Sequence, residues 1–487
     1  MKLLKDILYK VAVENIIGST DIDISKVDFD SRKVIADGLF VAQKGLTVDG
    51  HNYIQKAIDL GVTVVVCEII PEKLVDTVTY VQVQDSNAAL AIIAANYYDN
   101  PSQKLKLIGI TGTNGKTTIA TLLYNLLNKG GEKVGLLSTV KIMVDETEFA
   151  TTHTTPDSVS INHYLQEMVS AGVDYCFMEV SSHGIHQKRT EGLHFTGGIF
   201  TNLTQDHLDY HKTFAEYRDV KKIFFDQLPR DAFALVNVDD KNGMFLLQNT
   251  KAKNVTYGLK SMADYKAKVL ENQFSGLLLN INGSEVWTKL IGSFNAYNLL
   301  AIFATADLLG FEQLETLRLM SELESVAGRF QHFKSATNIT AIVDYAHTPD
   351  ALKNVLETIN DIRTGNEKVI TVVGCGGDRD KTKRPKMGHI TSFLSGQTIF
   401  TSDNPRSENP QTIIEDMEAG VEAQNYKKTI SIVDREQAIK TGCSMANSGD
   451  ILLIAGKGHE AYQEINGVRS DFDDYKKTQT ILTKLQK

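Results

Sequence analysis

The sequence predicts an α/β protein of three domains, each with a mainly parallel sheet. Two observations favour this class. Short apolar runs, typical of buried strands, alternate with helix-length segments along most of the chain. The chain also has 487 residues, which is more than one ordinary core holds, because domains usually contain about 50 to 250 residues.

The predicted strands are continuous apolar runs, as expected when both faces of a parallel sheet are covered. In chain order they are VTVVVCEII, LIGIT, VGLLST, YCFMEVS, GGIFTNL, FALVNV, AIVDYA, VITVVGC, TIFTSD and ILLIAG. A different pattern from Ala263 to Leu290 surrounds an Asn-Gly pair and predicts antiparallel hairpins.

Two boundaries divide the chain. The first is expected near Asn100-Pro101-Ser102, where a turn sequence follows the apolar stretch ALAIIAANYYD. The second is expected just before the run AIVDYA. The predicted domains are therefore residues 1–100, 101–332 and 333–487.

Composition narrows the class of protein further. Hydrophobic residues make up 42% and charged residues 23% of the chain, which is typical of soluble domains. No apolar run has the length of a membrane span, and the N-terminus mixes charged residues into its apolar ones, unlike a signal peptide. The net charge of −9 does not favour nucleic-acid binding. The four cysteines are scattered and read as reduced thiols. We therefore expect a cytoplasmic protein, monomeric, with no membrane or nucleic-acid partner.

The stretch ITGTNGKTTIATLL, residues 110–123, predicts a phosphate site. Glycines between a strand and a helix let backbone N–H groups approach a phosphate at the helix N-terminus. Lys116 then reaches phosphate oxygens and Thr117 is placed to ligate Mg²⁺. The glycine spacing is a variant of the common P-loop, since Ile110 stands where its first glycine is usual. A tight turn without a ligand is the alternative.

Acidic residues and histidines follow two other predicted strands. Glu179 lies in FMEVSSHG, and Asp206 and His207 lie in TNLTQDHLDYH. Ligands bind at strand ends of open parallel sheets, and oxygen donors near a triphosphate suit Mg²⁺. The alternative is that these are polar loop residues that cap helices.

Two further pairs have an ordinary interpretation from the residues alone. Lys221 and Lys222 lie on a predicted amphipathic helix, where lysines are normally solvated. Asn295 and Asn298 lie at a predicted helix start, in SFNAYNLL, where a capping role is favoured over contact with a nucleotide base.

The last predicted domain carries charged loops at strand ends. GCGGDRDKTKRP combines glycines with Arg379 and further basic residues, a pattern typical of an anion site. Arg406 in DNPRSENP is suited to a carboxylate, and Glu460 in AGKGHEAYQ to an ammonium group. Taken singly, each could be an exposed loop. Together they predict recognition of a ligand with charges of both signs.

The motifs together resemble the Mur ligases. TGTNGKTT, EVSSHG, TNLTQDHLDYH, GSFNAYN, VDYAHTPDAL, GCGGDRDKTKRP, DNPRSENP and AGKGHEAYQ occur in that order over nearly the whole chain. Within the family, the resemblance is greatest to the members that add the third amino acid of the peptidoglycan stem peptide. It implies a central P-loop-type ATPase domain and a Rossmann-like C-terminal domain.

The resemblance implies an ATP- and Mg²⁺-dependent ligation. ATP phosphorylates the D-glutamyl carboxylate of UDP-N-acetylmuramoyl-L-alanyl-D-glutamate, and the amine of an amino acid then attacks the acyl phosphate. The catalytic residues would be Lys116, Glu179, His207 and Lys221, the last carbamylated, and the metal ligands Thr117, Glu179, His207 and carbamylated Lys221. The ATP site would comprise Gly112, Thr113, Asn114, Gly115, Lys116, Thr117, Thr118, Asn295, Asn298, Arg329, Asp344 and His347.

The resemblance also assigns the other two substrates. The UDP-linked substrate would contact Ser31, Thr154, Thr155, Ser181, Gln187 and Arg189. The amino acid would contact Arg379, Asp403, Asn404, Pro405, Arg406, Gly456 and Glu460. Family members with Asp-Asn-Pro-Arg add meso-diaminopimelate, whereas members that add L-lysine often lack this arginine. Diaminopimelate has a carboxylate that lysine lacks, and arginine is its expected partner.

Asn409 is a departure, because the family motif usually has an acidic residue there. Three alternatives remain: the same ligation with L-lysine, a folylpolyglutamate synthase-like ligation, and a nucleotide switch that hydrolyses ATP without an acceptor.

Overall fold

The computed structural model describes residues 1–45, 48–151 and 153–487, with the backbone alone at residues 208 and 209. In this part of the chain, three large sheets of five, eleven and six strands follow one another along the sequence. The class predicted from the sequence is confirmed, since the structure is α/β with mainly parallel sheets.

The N-terminal sheet has the strand order β2-β7-β6-β5-β4, in which only the edge strand β2 is antiparallel. A small β1–β3 pair precedes it, and short 3₁₀ helices cover Gly50–Tyr53 and Pro101–Gln103. Its elements are β1 (Lys2–Leu3), α1 (Leu4–Ile7), β2 (Val13–Ile17), β3 (Asp23–Ile24), β4 (Val27–Asp28), β5 (Leu39–Val41), α2 (Ile54–Asp59), β6 (Val64–Cys67), β7 (Thr79–Val83) and α3 (Ser86–Tyr97).

The central sheet has the order β11-β10-β9-β12-β8-β13-β14-β15-β16-β17-β18 and is parallel from β9 to β16. Its elements are β8 (Lys106–Thr111), α4 (Lys116–Lys129), β9 (Val134–Leu137), β10 (Ile142–Val144), β11 (Thr147–Phe149), α5 (Ser158–Ser170), β12 (Tyr175–Glu179), α6 (Ser182–His186), β13 (Gly197–Phe200), α7 (Leu208–His211), α8 (Phe214–Asp226), β14 (Phe233–Asn237), α9 (Gly243–Leu246), β15 (Lys253–Gly258), β16 (Tyr265–Gln273), β17 (Gly276–Ile281), β18 (Ser284–Thr288), α10 (Ser293–Leu308) and α11 (Gln313–Ser321).

The C-terminal sheet has the order β19-β20-β24-β21-β22-β23, with β19 antiparallel and the rest parallel. A separate hairpin, β25–β26, follows it, and a 3₁₀ helix covers Ala423–Lys428. The elements are β19 (Gln331–Lys334), β20 (Thr340–Asp344), α12 (Pro349–Ile362), β21 (Val369–Val373), α13 (Lys383–Leu394), β22 (Gln397–Phe400), α14 (Pro410–Glu418), β23 (Thr429–Ser431), α15 (Arg435–Met445), β24 (Ile451–Ala455), β25 (Tyr462–Ile465), β26 (Val468–Asp471) and α16 (Asp474–Lys484).

Each apolar run predicted as a strand is one, and these strands are buried because helices cover both faces of their sheets. On one face of the central sheet α4 and α10 pack into one apolar cluster, and α5 and α8 pack into a second cluster on the other face. Each fully buried leucine or phenylalanine there contributes roughly 1.5–3 kcal/mol. The antiparallel hairpins predicted around the Asn282-Gly283 turn are also confirmed, as β16, β17 and β18.

The domain boundaries stay proposals. The sheets change near residue 100, where the first boundary was placed. The second, at 332/333, falls inside β19, which pairs only with β20 of the C-terminal sheet within the described residues. We therefore propose that the third domain begins just ahead of Gln331.

The cysteines are free and buried, as the sequence predicts for reduced thiols. Cys67 lies in β6, Cys176 in β12, Cys375 just after β21 and Cys443 in α15. Among the helices of the described residues, none is both long enough and apolar enough to cross a membrane.

Candidate active site

A cavity of about 1430 Å³ lies between the central and C-terminal sheets. Strand-end loops of both sheets line it, which is where open α/β sheets bind ligands. The site residues predicted from the sequence that line it are Lys116, Thr154, Thr155, Ser181, Gln187, Arg189, His207, Lys221, His347, Arg379, Asp403, Asn404, Arg406, Gly456 and Glu460. Side chains far apart in sequence therefore share one space.

The glycine loop joins β8 to α4 without side-chain bulk. Gly112 has φ +145 and Gly115 has φ +90, conformations that favour glycine. A Cβ at Gly112 would lie 1.9 Å from Thr201 Oγ1, so the loop packs closely on the end of β13. The amides of Thr113 and Asn114 donate to the backbone and side-chain oxygens of Asn202, at 2.8 and 3.0 Å. The loop is thus fixed in position before any ligand binds.

Two lysine amines meet at this loop. Lys116 Nζ donates to the carbonyls of Gly112 and Thr113, both at 2.9 Å. Lys221 Nζ donates to the same Gly112 carbonyl at 3.0 Å and to Thr111 Oγ1 at 3.3 Å. Burial, reinforced by the charge of Lys116, lowers the pKa of Lys221 well below its ordinary value. Burial also lowers the pKa of Lys116.

The expectation that Lys221 and Lys222 are solvated is wrong. These residues are 1% and 8% exposed, because Lys221 bonds to the end of β8 and the glycine loop, and Lys222 lies over the Phe245 ring. Lys222 Nζ forms an i,i+4 ion pair with Asp226 at 2.5 Å. Lys221 is among the residues that line the cavity, whereas Lys222 is not.

Oxygen donors gather beside the loop. Thr117 Oγ1 donates to Glu179 Oε2 at 3.0 Å and accepts from Arg329 Nη2 at 3.1 Å. The second carboxylate oxygen, Glu179 Oε1, accepts from the Thr139 amide at 2.7 Å. Thr118 is buried in the first turn of α4. This hydroxyl and carboxylate pair has the donor chemistry that Mg²⁺ prefers.

Across the described side chains, no three His, Cys, Asp or Glu residues come together as a ready metal cluster. Mg²⁺ does not require one, because it is usually held by one or two carboxylates, waters and substrate phosphates. His207 lies nearby in the cavity lining. Its Nε2 is 3.5 Å from Asp206 Oδ2, and its ring packs edge-on against His183 with centroids 4.9 Å apart.

A hydrogen-bonded group of residues forms the wall next to Glu179. Thr155 Oγ1 donates to the Glu179 carbonyl at 2.8 Å and accepts from the Ser181 amide at 2.9 Å. Arg189 donates to the Thr155 carbonyl at 2.6 Å and to Gln187 Oε1 at 2.7 Å. Thr154 Oγ1 accepts from Thr139 Oγ1 at 3.0 Å. The structure brings these residues together, and their role in binding a substrate stays a prediction.

Asn295 and Asn298 do not cap a helix, so the capping interpretation is wrong. Gly292 is the N-cap of α10, and both asparagines lie inside its first turns. Asn295 Nδ2 donates to the Ile291 carbonyl at 2.8 Å, and Asn298 Nδ2 donates to Asn295 Oδ1 at 2.9 Å. Asn298 Oδ1 lies so close to the loop that a Cβ on Gly115 would be 2.7 Å from it.

Arg329, Asp344 and His347 lie where the C-terminal sheet meets the loop. The Arg329 guanidinium lies over the Tyr345 ring, 4.5 Å from its centroid, while also reaching Thr117. Burial raises the pKa of Asp344 to about 6, even though Arg329 opposes the shift. Burial lowers the pKa of His347 to about 4, with help from the charge of Lys383. Burial therefore moves the pKa of both groups away from their ordinary values, upward for Asp344 and downward for His347.

The C-terminal wall of the cavity carries charges of both signs. Arg406 Nη1 donates to the Gly377 carbonyl at 2.7 Å, and Arg379 lies in the same wall. Glu460 Oε2 accepts from Asn404 Nδ2 at 2.7 Å. Burial, reinforced by the charge of Asp403, raises the pKa of Glu460. This wall fits a ligand that offers both a carboxylate and an ammonium group.

Two local features shape that wall. Gly456 has φ +113, and a Cβ there would be 2.6 Å from Asp403 Oδ2, so glycine permits the close approach of this carboxylate. Asn409, the departure from the family motif, caps α14 by accepting from the Gln411 amide at 2.9 Å. Asparagine caps a helix about as well as aspartate does, so the turn is preserved.

An ion-pair group around the buried Arg384 links the loop that carries Arg379 to the loop that carries Arg406. Arg384, fully buried, donates to both oxygens of Glu408 at 3.0 and 2.8 Å and to Asp416 at 2.9 Å. The Asp378 amide donates to Glu408 Oε1 at 2.6 Å. The hydrogen bonds from Arg384 lower the pKa of Glu408 to about 2. The pair therefore ties the Arg379 loop to the Arg406 loop.

Ser31 is not brought together with the other predicted residues. It is buried just after β4 and is not among the described residues that line the cavity. The sequence prediction missed several cavity residues, including His459, Tyr462 and Arg469. His459 and Tyr462 lie within the recognised motif AGKGHEAYQ. Tyr462 and Arg469 lie on the β25–β26 hairpin, whose signal is the Asn-Gly pair in EINGV.

The strand, glycine loop and helix that face this cavity are typical of α/β enzymes that use a nucleoside triphosphate. Three family profiles match the chain: "Mur ligase family, catalytic domain" at residues 23–98, "Mur ligase middle domain" at 110–306 and "Mur ligase, glutamate ligase domain" at 328–458. The chain belongs to the Mur ligase family.

Individual relatives agree with this membership. The chain is 54% identical to the UDP-N-acetylmuramoyl-L-alanyl-D-glutamate–2,6-diaminopimelate ligase of Cytophaga hutchinsonii, over 97% of each sequence. A solved structure of a ligase with the same name matches with TM-score 0.67 and 31% identity, covering 95% of this chain and 96% of that one. The folylpolyglutamate synthase of Mycobacterium tuberculosis matches with TM-score 0.61 and 16% identity, over 74% of this chain and 91% of that one, a likeness of fold alone.

Proposed function

We propose that this chain is an ATP-dependent ligase that joins meso-diaminopimelate to UDP-N-acetylmuramoyl-L-alanyl-D-glutamate, in the synthesis of the peptidoglycan precursor. The observation that carries the proposal is the shared cavity. Lys116, at the end of the phosphate-type loop, lines it together with C-terminal residues that carry charges of both signs. The relative that is 54% identical bears the name of this activity.

The ATP end of the reaction is assigned to the glycine loop. Amides of residues 112–118 at the start of α4 are suited to the phosphates. Lys116 would leave the carbonyls of Gly112 and Thr113 and pair with the phosphate oxygens. Asn298, packed beside Gly115, and Arg329, packed on Tyr345, fit the remainder of the nucleotide. Asn295, Asp344 and His347 would complete this end of the cavity.

Mg²⁺ fits the Thr117 hydroxyl and the Glu179 carboxylate, which lie 3.0 Å apart beside the loop. When bound, the ion would neutralise charge on the phosphates. His207 is assigned to a second metal region on the basis of the family resemblance. These residues would hold the ion, and Lys116 would share the phosphate charge.

Lys221 is proposed to be carbamylated. Its lowered pKa supports this, because only the neutral amine attacks carbon dioxide. The amine nitrogen bonds to the carbon of CO₂ and loses a proton, which leaves an anionic carbamate. The change places an anion beside Lys116, whose positive charge it would offset.

The acyl substrate is assigned to the wall next to Glu179. Thr154, Thr155, Ser181, Gln187 and Arg189 would hold its muramoyl-peptide portion, and Ser31 its uridine end. The D-glutamyl carboxylate attacks the terminal phosphate of ATP to give an acyl phosphate and ADP. The amine of the acceptor then attacks the acyl carbon, phosphate leaves, and an amide remains. Positioning and charge neutralisation supply most of such catalysis.

The acceptor is assigned to the Arg406 and Glu460 wall. The Arg406 guanidinium donates one N–H to the Gly377 carbonyl, and its other N–H groups remain as donors for a carboxylate. Diaminopimelate offers a second carboxylate and L-lysine does not, so arginine favours the former. Glu460 is suited to the ammonium group, and Arg379 and Gly456 lie in the same wall. L-lysine as acceptor remains the second candidate, because the rest of the wall would accept it.

The test is phosphate release with ATP, Mg²⁺ and the UDP-linked substrate, comparing meso-diaminopimelate, L-lysine and no amino acid. Release only with diaminopimelate is the expected result. Release only with lysine would retain the ligase but contradict the selector role of Arg406. Equal release without an acceptor would contradict ligation and favour a nucleotide-hydrolysing switch. A folate in place of the UDP-linked substrate tests the folylpolyglutamate alternative.

A further inference from the structure

The β25–β26 hairpin has no place in the C-terminal sheet, yet it lies against the cavity wall. Its strands pair antiparallel from Tyr462–Asp471 to Ile465–Val468. Its turn residues, Asn466 and Gly467, have φ +49 and +78, as a two-residue hairpin turn requires. The residues of β26 are exposed. The hairpin therefore adds little to the core, and its contacts point to another role.

Four hydrogen bonds join the hairpin to the segment Asp403–Arg406. Gln463 Nε2 donates to the Asp403 carbonyl at 2.7 Å. The Glu464 amide donates to Asn404 Oδ1 at 2.9 Å, and the Glu464 carbonyl accepts from the Arg406 amide at 3.1 Å. The Asn466 amide donates to the Arg406 carbonyl at 2.7 Å. The hairpin thus bonds to most of the residues of this segment.

These hydrogen bonds hold Arg406 in an unusual backbone conformation. Its φ is +52, in the left-handed region that a branched or long side chain rarely adopts. Such a residue persists only where its surroundings fix it. Both backbone polar groups of Arg406 bond to the hairpin, and this conformation sends its guanidinium toward Gly377 and the cavity. The direction of the arginine therefore depends on the hairpin.

The same contacts fix Asn404 and, through it, Glu460. Asn404 Oδ1 accepts from the Glu464 amide and from Lys457 Nζ, the latter at 3.2 Å. Its Nδ2 donates to Glu460 Oε2 at 2.7 Å. Lys457 is fully buried and also donates to the Tyr462 carbonyl at the start of the hairpin. The hairpin thus fixes the positions of both the Glu460 carboxylate and the Arg406 guanidinium.

We infer that the β25–β26 hairpin positions the acceptor site through Gln463, Glu464 and Asn466, and that Gln463 is a positioning residue for selection of a dicarboxylate amino acid. This rests on the proposed function. Gln463 touches no reacting atom. It acts through the Asp403 carbonyl, which begins the segment that carries Arg406.

The test uses Gln463→Met, which keeps the side-chain length and removes the donor. Val468→Thr is the control, because Val468 is 70% exposed on the same hairpin and is not part of the bonded segment. The loss of one hydrogen bond predicts a roughly three- to tenfold rise in KM for diaminopimelate. The preference over L-lysine should fall, whereas kcat and KM for ATP should stay unchanged. The control should match the native chain.

Hydrogen exchange at the amides of Asp403, Asn404 and Arg406, measured without substrate, separates failure of this inference from failure of the proposed function. Faster exchange in Gln463→Met than in Val468→Thr, together with the KM change, is the expected result. Faster exchange with no change in KM would show that the hairpin holds the segment but not the acceptor site, and would overturn the inference. Unchanged exchange would overturn it too, whatever reaction the native chain catalyses.

Discussion

At the level of single residues, the amines of Lys116 and Lys221 both donate to the Gly112 carbonyl. Two ammonium groups on one buried acceptor repel each other strongly, because the local dielectric is low. The arrangement stores positive charge where a phosphate would neutralise it. Burial lowers the pKa of each lysine, and the charge of Lys116 lowers the pKa of Lys221 further.

Replacing Lys116 should abolish ligation while the fold survives. The Lys116 side chain bonds to loop carbonyls and not to the core, so Lys116→Ala should change the melting temperature little. Turnover should fall by at least about a hundredfold, the usual cost of removing one charged donor from a transition state. Phosphate release and circular dichroism measure the two effects.

The matched control is Lys129→Ala, at the other end of the same helix, where the side chain is 44% exposed and pairs with Glu322 at 3.6 Å. It should retain native turnover. Full turnover of Lys116→Ala would contradict the assignment of the loop to ATP.

Local sequence could predict only some of these residues. Lys116, Thr117 and Glu179 follow from short motifs at strand ends, where neighbouring parallel strands bring their termini together. Lys221 could not be predicted in this way. Its burial depends on Gly112, which lies 109 residues away in sequence, and its helix alone reads as a solvated amphipathic surface.

At the level of elements, both close contacts and positive φ angles restrict which residues the glycine loop can accept. Gly112→Ala should destabilise the chain and impair ATP binding, because its Cβ would lie 1.9 Å from Thr201 Oγ1. Gly131→Ala is the control, since Gly131 has φ +90 and nothing lies within 4 Å of its Cβ position. The control should lose about 1–2 kcal/mol from the left-handed conformation alone.

Denaturant unfolding and nucleotide binding measure this prediction. The expected difference between the two variants is the additional cost of the contact with Thr201. If Gly112→Ala and Gly131→Ala were equally stable and both bound ATP, the close packing of the loop would have no energetic consequence.

The Arg384–Glu408 pair should make the C-terminal loops sensitive to acid. The pKa of Glu408 is lowered from 4.5 to about 2, so the folded state favours the charged carboxylate. Its contribution to stability is therefore complete above about pH 4.5 and is lost as the pH falls toward 2. Glu408→Gln lacks this contribution at every pH.

The difference in unfolding free energy between the native chain and Glu408→Gln should therefore shrink as the pH falls from 5 to 2. Denaturant titrations at several pH values measure it. Glu415→Gln, on an exposed part of α14, is the control and should show a much smaller change with pH. A difference that stayed constant across the range would contradict the ion pair as its source.

Sequence predicted the elements of the sheet centres better than those of the edges. Central strands such as β8, β12 and β24 are continuous apolar runs, because both faces are buried. The hairpin β25–β26 was missed since its residues are half-buried or exposed and mix charged with apolar types. Its position depends on bonds to a distant segment, and no local pattern encodes them.

At the level of the whole molecule, Arg329 links the walls of the cavity. It precedes the C-terminal sheet, yet it donates to Thr117 in the first turn of α4, 212 residues away in sequence. Its guanidinium also lies on Tyr345 of the C-terminal wall. A change in the charge at Thr117 would therefore be felt directly by the C-terminal part of the chain.

Binding of an ATP analogue and the UDP-linked substrate should compact the molecule. An acyl phosphate must be protected from water, and a cavity of about 1430 Å³ leaves room for closure. Small-angle scattering should show a smaller radius of gyration with both ligands present. Lys116→Ala, which lacks the phosphate contact, should not compact. An unchanged radius in the native chain would count against closure.

The four buried cysteines can report where and when the folded chain opens. Cys67 lies in the N-terminal sheet, Cys176 in the central sheet, and Cys375 and Cys443 in the C-terminal part. Burial raises the pKa of each thiol, so little reactive thiolate forms in the folded chain. Burial also keeps an alkylating reagent away from the sulfur. The rate of alkylation at each cysteine therefore measures how fast the surrounding part of the chain opens. Mass spectrometry of a pulse-labelled sample would show in one experiment whether the N-terminal, central or C-terminal part opens first.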